Sequence, residues 1–144
     1  MTTETKPGTD ARVRAGVEQF YAHHMQLLDD GRIKEWASFF TEDGTFAVGS
    51  RPEPARGREE IIAGATHTVE QLRAQGIARR HWLGMADISA DGDGLRVRSY
   101  ALVFQITAAD GPALRASTTC EDVLVPDGTL WLIQSRLVVT DAPA

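Results

Sequence analysis

His81 is the side chain in this sequence best suited to proton chemistry. It lies in the run Arg79-Arg80-His81-Trp82-Leu83-Gly84-Met85, at the start of a long stretch of strand-like residues. Histidine's ordinary pKa of about 6.5 lets it give or take a proton near neutrality. The competing reading is a structural strand histidine. Asp122 is the carboxylate expected to partner it. Asp122 shares strand parity with Cys120 and Leu124, so it faces an apolar side, where an unpaired carboxylate is costly. It is therefore hydrogen-bonded or protonated in a pocket, or else ion-paired with Arg98, Arg115 or Arg136 of a neighbouring strand. Tyr21 and His24 share the apolar stripe of the first helix, and each is either a packing residue or a proton donor to the same pocket. Asp29 closes that helix and either turns the chain or reaches the site. Arg79 has the parity of His81 and is a candidate anion ligand or a surface ion pair. Cys120 has no evident activating base and reads as a buried, inert thiol.

The elements that must position these groups are legible from periodicity. Residues 11–28 carry Val13, Val17, Phe20, Tyr21, His24, Leu27 and Leu28 at spacings of three and four, which predicts an amphipathic helix. Gly31 stops it. A second, shorter helix buries Ile33, Trp36, Ala37 and Phe40, and 41–44 is a turn before a short strand at 45–48. Pro52 and Pro54 keep 49–57 out of a sheet interior. A third helix spans 58–75, with Ile61, Ile62, Ala65, Val69 and Leu72 on one side. Four strands follow, at 78–89, 95–107, 113–125 and 130–140, joined by Asp-Gly turns that read as hairpins. Helices first and a meander afterwards make an α+β protein. The expected form is a cone, three helices packed on a curved, mostly antiparallel sheet around an internal pocket. Trp36, Phe40, Phe46, Tyr100 and Phe104, with Met85, Cys120 and Asp29, are the expected ligand-lining set; aromatic faces suit a flat polycyclic ligand.

Bulk properties remove several function classes. At 144 residues the chain is expected to form one domain over 11–144, with a disordered tail at 1–10. A net charge of −5 argues against nucleic acid. No apolar run approaches the roughly 18 residues a membrane span needs, and the N-terminus has no apolar leader. A single cysteine excludes an internal disulfide and fits a reducing cytoplasm. No Cys/His cluster has zinc spacing, and Gly92 and Gly94 sit in a hairpin turn, so neither a metal nor a nucleotide cofactor is expected.

Four segments carry a resemblance. They are Leu27–Gly31 with Trp36–Gly44, then Arg56–Ile61, Arg80–Gly84, and Glu121–Val125 followed by Trp131. In their order and spacing, over about residues 12–140, they resemble the SnoaL-like branch of the nuclear transport factor two-like superfamily. The wording of the chain most resembles small accessory proteins of actinomycete aromatic polyketide pathways, including the actinorhodin type. The resemblance implies dehydration or cyclisation of a polycyclic intermediate, without a cofactor, in a homodimer. Asp122 matches the acid/base aspartate of SnoaL-type cyclases, while His81 and Asp29 match two positions of scytalone dehydratase. That enzyme's second histidine has no counterpart in 95–107, and Tyr100 or His24 would have to substitute. The steroid isomerase's base falls near Val48, which cannot take a proton. A second inward aspartate for the epoxide hydrolase set is not evident. The superfamily also holds non-catalytic binding modules and dioxygenase small subunits. A ligand-holding accessory protein, one that assists a partner oxygenase, is therefore the alternative.

Overall fold

The structure is a computed structural model that describes residues 10–49, 51 and 53–142. The expected N-terminal tail lies outside these residues, apart from Asp10. Asp10 begins α1 (Ala11–Asp29): its Oδ1 accepts from the Arg12 backbone N–H at 2.7 Å. Gly31, at φ 77°, ends it, and the Gly31 and Arg32 N–H groups close on Leu28 and Leu27 carbonyls. The short α2 (Ile33–Ala37) follows, then β1 (Phe40–Val48), β2 (Ala55–Arg56) and α3 (Gly57–Ala74). The chain finishes as β3 (Ala78–Asp91), β4 (Gly94–Thr107), β5 (Gly111–Asp127) and β6 (Leu130–Thr140).

All six strands form one sheet in the order β2-β1-β6-β5-β4-β3. Its pairs are antiparallel except β1 with β6, which run parallel, so the sheet is mixed. The protein is α+β, as the element order predicts. The expected turn at 41–44 is instead a bulge within β1: Phe40 pairs with Ile133 and Thr45 with Ser135, so β1 advances by five residues where β6 advances by two. Gly44 permits this, since a Cβ there would stand 3.0 Å from the Thr41 carbonyl. Phe40 therefore belongs to a strand and not to the second helix, although it is buried either way.

One end of the sheet is filled. Phe40, Ile133, Leu124 and Leu95 form a row across four strands, each no more than 1% exposed. Each side chain so buried contributes about 1.5–3 kcal/mol. The next row is Arg136, Asp122, Val97 and Ile88. Beyond it, residues on the same face of the sheet border a cavity. Two features set which residues face that cavity. β3 bulges between Gly84 and Asp87, where Met85 takes φ 56°. β5 bulges opposite Val103 and Phe104, where Arg115 is the extra residue.

Candidate active site

Beyond these rows lies a partly open cavity of about 370 Å³. Its sheet wall is built from alternate residues: Arg79 and His81 on β3, Ala101, Val103 and Gln105 on β4, Thr118 and Cys120 on β5, and Arg136, Val138 and Thr140 on β6. Met25 and Leu28 of α1, Trp36 of α2, Thr68 and Leu72 of α3, and Phe46 and Val48 of β1 close the other sides. Most of this surface is apolar, with a few polar groups converging on it, as ligand sites tend to be.

His81 is held by Asp29, not by Asp122. Asp29 Oδ1 lies 2.6 Å from His81 Nδ1, and Asp29 Oδ2 accepts from the His81 backbone N–H at 3.0 Å. Both carboxylate oxygens are thus spent on one residue, and the ring is fixed in orientation. The end of α1 reaches the start of β3 because α1 packs along that strand. Arg79, two residues away on the same face, is partly buried; that burial pulls its pKa down against the favourable charge of Asp29.

Asp122 occupies a second, separate cluster. Its Oδ1 accepts from Arg136 Nε at 2.9 Å and from the Cys120 thiol at 3.4 Å. Its Oδ2 accepts from Arg136 Nη2 at 2.9 Å and from the Tyr21 hydroxyl at 2.7 Å. The Asp122 side chain is 0% exposed and that of Arg136 2%. Of the readings open for Asp122, the ion pair with Arg136 is the one realised. Sealed behind Arg136, the carboxylate does not meet the cavity and does not partner His81. Burial opposes charge on Arg136, but Asp122, followed by Cys120 and Tyr21, outweighs it and drives the guanidinium pKa up. Burial first, and then the Asp122 charge, push the Tyr21 hydroxyl well above its usual range. Burial also lifts the Cys120 thiol to about 12, which leaves it inert at neutral pH.

Other expected site residues separate by face. Trp36, Phe46 and Cys120 line the cavity. Tyr21 does not; it joins the Asp122 cluster and borders a crevice between α1 and β3. Phe40 is core, with the Arg136 guanidinium 5.7 Å from its ring centre. Tyr100 is 47% exposed on the outer face of the sheet, beneath Arg98, and Phe104 shares its parity. Met85 sits on the β3 bulge, 79% exposed. Arg115, Gln105, Thr118 and Thr140 are cavity residues that the sequence reading did not select as ligand contacts. Register would have found Gln105, Thr118 and Thr140, because Gln105 pairs with Arg79, and Thr118 pairs with Ala101 and Thr140; Arg115, at the β5 bulge, has no such signal.

His24 is a packing residue. It is fully buried, stacked between Phe20 and Trp36, with Nε2 2.9 Å from the Trp36 carbonyl. A carbonyl only accepts, so Nε2 carries the proton, and the enclosed Nδ1 has no partner among the described residues. Burial, reinforced by the charge of Arg136, holds its pKa well below the usual value. In the unfolded chain His24 takes up a proton near pH 6.5; in the fold it does so only at lower pH. Between those points the unfolded state binds more protons, so stability falls as pH falls, by up to about 1.4 kcal/mol per pH unit. Melting curves from pH 7.5 to 5 are expected to show this slope, and His24→Phe to flatten it. An unchanged slope in the variant would contradict the assignment.

Three helices on an open, mixed six-stranded sheet make a cystatin-like fold. The profile of the SnoaL-like domain matches residues 9–137, and the chain belongs to that family. ActVI-ORFA from Streptomyces coelicolor is similar at 32% identity and a TM-score of 0.85, over 94% of this chain and 99% of that one. A Catenulispora acidiphila protein in complex with S-DNPA is 33% identical with a TM-score of 0.83, over 92% and 96%. Aln2 from a Streptomyces species is 25% identical with a TM-score of 0.84, over 92% and 93%. No curated protein sequence matches the chain significantly. Among the described residues, no helix is long and apolar enough to cross a membrane, and no group of three acidic, His or Cys side chains is placed to hold a metal.

Proposed function

We propose that this chain is a cofactor-independent dehydratase or cyclase for an aromatic polyketide intermediate, with the Asp29–His81 dyad moving the proton. The observation that carries this reading is the 2.6 Å contact of Asp29 Oδ1 with His81 Nδ1 at the wall of an apolar cavity. With Asp29 accepting, Nδ1 bears the hydrogen and Nε2 keeps its lone pair. That is the tautomer a general base needs. Nε2 takes the proton from a carbon next to a carbonyl, and the C–H electron pair becomes an enolate. The enolate then expels the β-hydroxyl as the C–O bond breaks, and the imidazolium returns its proton to the departing oxygen, giving water and an alkene. In ring closure the same nitrogen takes the proton of the attacking group. Asp29 keeps the ring oriented and stabilises the imidazolium. Trp36 and Phe46 offer faces to a flat ligand, and the apolar walls exclude water. The Catenulispora relative is in complex with S-DNPA, which supports a ligand-binding role for this fold. Asp122, hydrogen-bonded to both Tyr21 and Arg136, takes no proton in this scheme, and neither does Tyr21.

One observation favours the second reading, a protein that holds an intermediate without converting it: among the described residues, His81 is the sole histidine lining the cavity. The two are separated by incubating hydroxylated polycyclic intermediates with wild type and His81→Ala, followed by mass spectrometry. Loss of one water that requires His81 establishes the dehydratase. A new peak of unchanged mass marks cyclisation or isomerisation. Tight binding with no product in either protein sinks the enzyme reading.

A homodimer through the outer sheet face is part of the proposal. Trp82, Tyr100, Leu137 and Val139 are exposed there, an apolar surface that a partner would cover. Light scattering is expected to give twice the 15.7 kDa chain mass, and Trp82→Glu to shift it toward monomer. A monomeric wild type refutes the dimer.

A further inference from the structure

Among the described residues, the protein uses only two of the N–H groups of the Arg136 guanidinium. Of its five N–H groups, Nε–H and one on Nη2 go to Asp122. Nη1 makes no hydrogen bond among the described residues. It is also not among the enclosed unpartnered atoms, which are His24 Nδ1, Trp36 Nε1 and Ser99 Oγ. Since Arg136 borders the cavity, the edge turned away from Asp122 is the one left to meet its contents. Burying an ion pair is expensive, and an apolar pair of similar volume would commonly be as stable. This one sits where the packed core ends and the cavity begins. It is held by Tyr21 and Cys120 on Asp122, and its guanidinium lies 5.7 Å from the Phe40 ring centre.

The register then gives the spacing. Arg136 pairs with Asp122 on β5, whereas His81 pairs with Val103 and so lies level with Ala116. Residues 122 and 116 are separated by on the order of 20 Å of strand. The backbones that carry Arg136 and the dyad are therefore well separated along the cavity.

Resting on the reading of this cavity as the ligand site, we propose that Arg136 is its oxygen-recognition point. Through Nη1 it donates to a carbonyl or phenolate oxygen at the end of an elongated polycycle remote from His81. A preorganised, enclosed donor favours an oxygen that carries negative charge. The ligand class is thus narrowed to linear fused-ring compounds with a terminal phenol or carbonyl.

The test compares 6-hydroxy-2-naphthoate with 2-naphthoate on the wild-type protein, by fluorescence titration and by absorbance against pH. The hydroxyl is expected to tighten binding roughly tenfold, and the bound phenol to ionise at lower pH than the free one. His81→Ala is expected to keep both effects, which separates this proposal from the dyad reading. Arg136→Lys, which keeps a cation opposite Asp122, is expected to lose both. If that variant does not fold, phenol ionisation in the wild type carries the test. Equal affinities with unshifted ionisation overturn the Arg136 assignment and leave the dyad standing. Retention of both effects in a folded Arg136→Lys variant also overturns it. Failure of both compounds to bind overturns the cavity-binding reading and this proposal with it.

Discussion

Replacing Asp29 with asparagine is expected to lower turnover by on the order of 10²–10⁴-fold, the range that a positioned acid/base group supplies. The substitution is isosteric, so the ring of His81 stays in place. An amide facing Nδ1, however, presents an N–H to it as readily as an oxygen. With the N–H inward, Nδ1 becomes the acceptor and Nε2 the donor, which is the wrong tautomer for taking a proton from carbon. The fall should appear in kcat more than in KM, because Asp29 acts through His81 and not on the ligand. Stability should change by no more than about 1 kcal/mol, since one contact to the His81 backbone N–H survives. Steady-state kinetics on the substrate found in the panel, with a melting curve beside it, checks both parts. Activity within about threefold of wild type would remove Asp29 from the mechanism.

Asp122→Ala is expected to do the opposite, acting on stability first. It strips four donors of their acceptor at once: Arg136 Nε and Nη2, the Tyr21 hydroxyl and the Cys120 thiol. Removing one partner of a buried ion pair costs about 3–5 kcal/mol, because the other charge is left without compensation. For a chain of this length that lowers the melting temperature by roughly 10 °C or more. A paired change, Asp122→Ala with Arg136→Met, should recover much of the loss, since no buried charge then remains. Differential scanning calorimetry decides it. A loss below about 1 kcal/mol in the single variant would mean that the cluster is wetter than the structure shows.

These two aspartates show where sequence reasoning reaches its limit. Asp29 and Asp122 were both visible as candidates near His81. Choosing between them required knowing that α1 runs along β3, which brings residue 29 to residue 81 across 52 positions of chain. Periodicity shows that a helix has a buried face but not which strand that face meets. The ion pair of Asp122 was legible as one of three options, because strand parity already put a carboxylate on an apolar side. The choice of Arg136 over Arg98 and Arg115 followed from the β5–β6 pairing, which sets Asp122 opposite Arg136.

The aromatic residues make the same point. Tyr100 and Phe104 do share a face, as alternation requires, but it is the outer one. The β3–β4 hairpin starts in the register Asp91 with Gly94, and the bulge between Gly84 and Asp87 shifts it by one, so His81 pairs with Val103 and not with Phe104. Side chains alternate with a period of two, and a one-residue slip exchanges the faces. Local sequence therefore determined the helices, the four long strands, their Asp-Gly turns, the α+β class and the few residues able to move a proton, since each of these depends on neighbours within a few positions. Only the tertiary structure decided which aspartate holds His81, which arginine closes the cavity floor and which aromatics see its inside, because those answers depend on strand register and helix docking between residues distant in the chain.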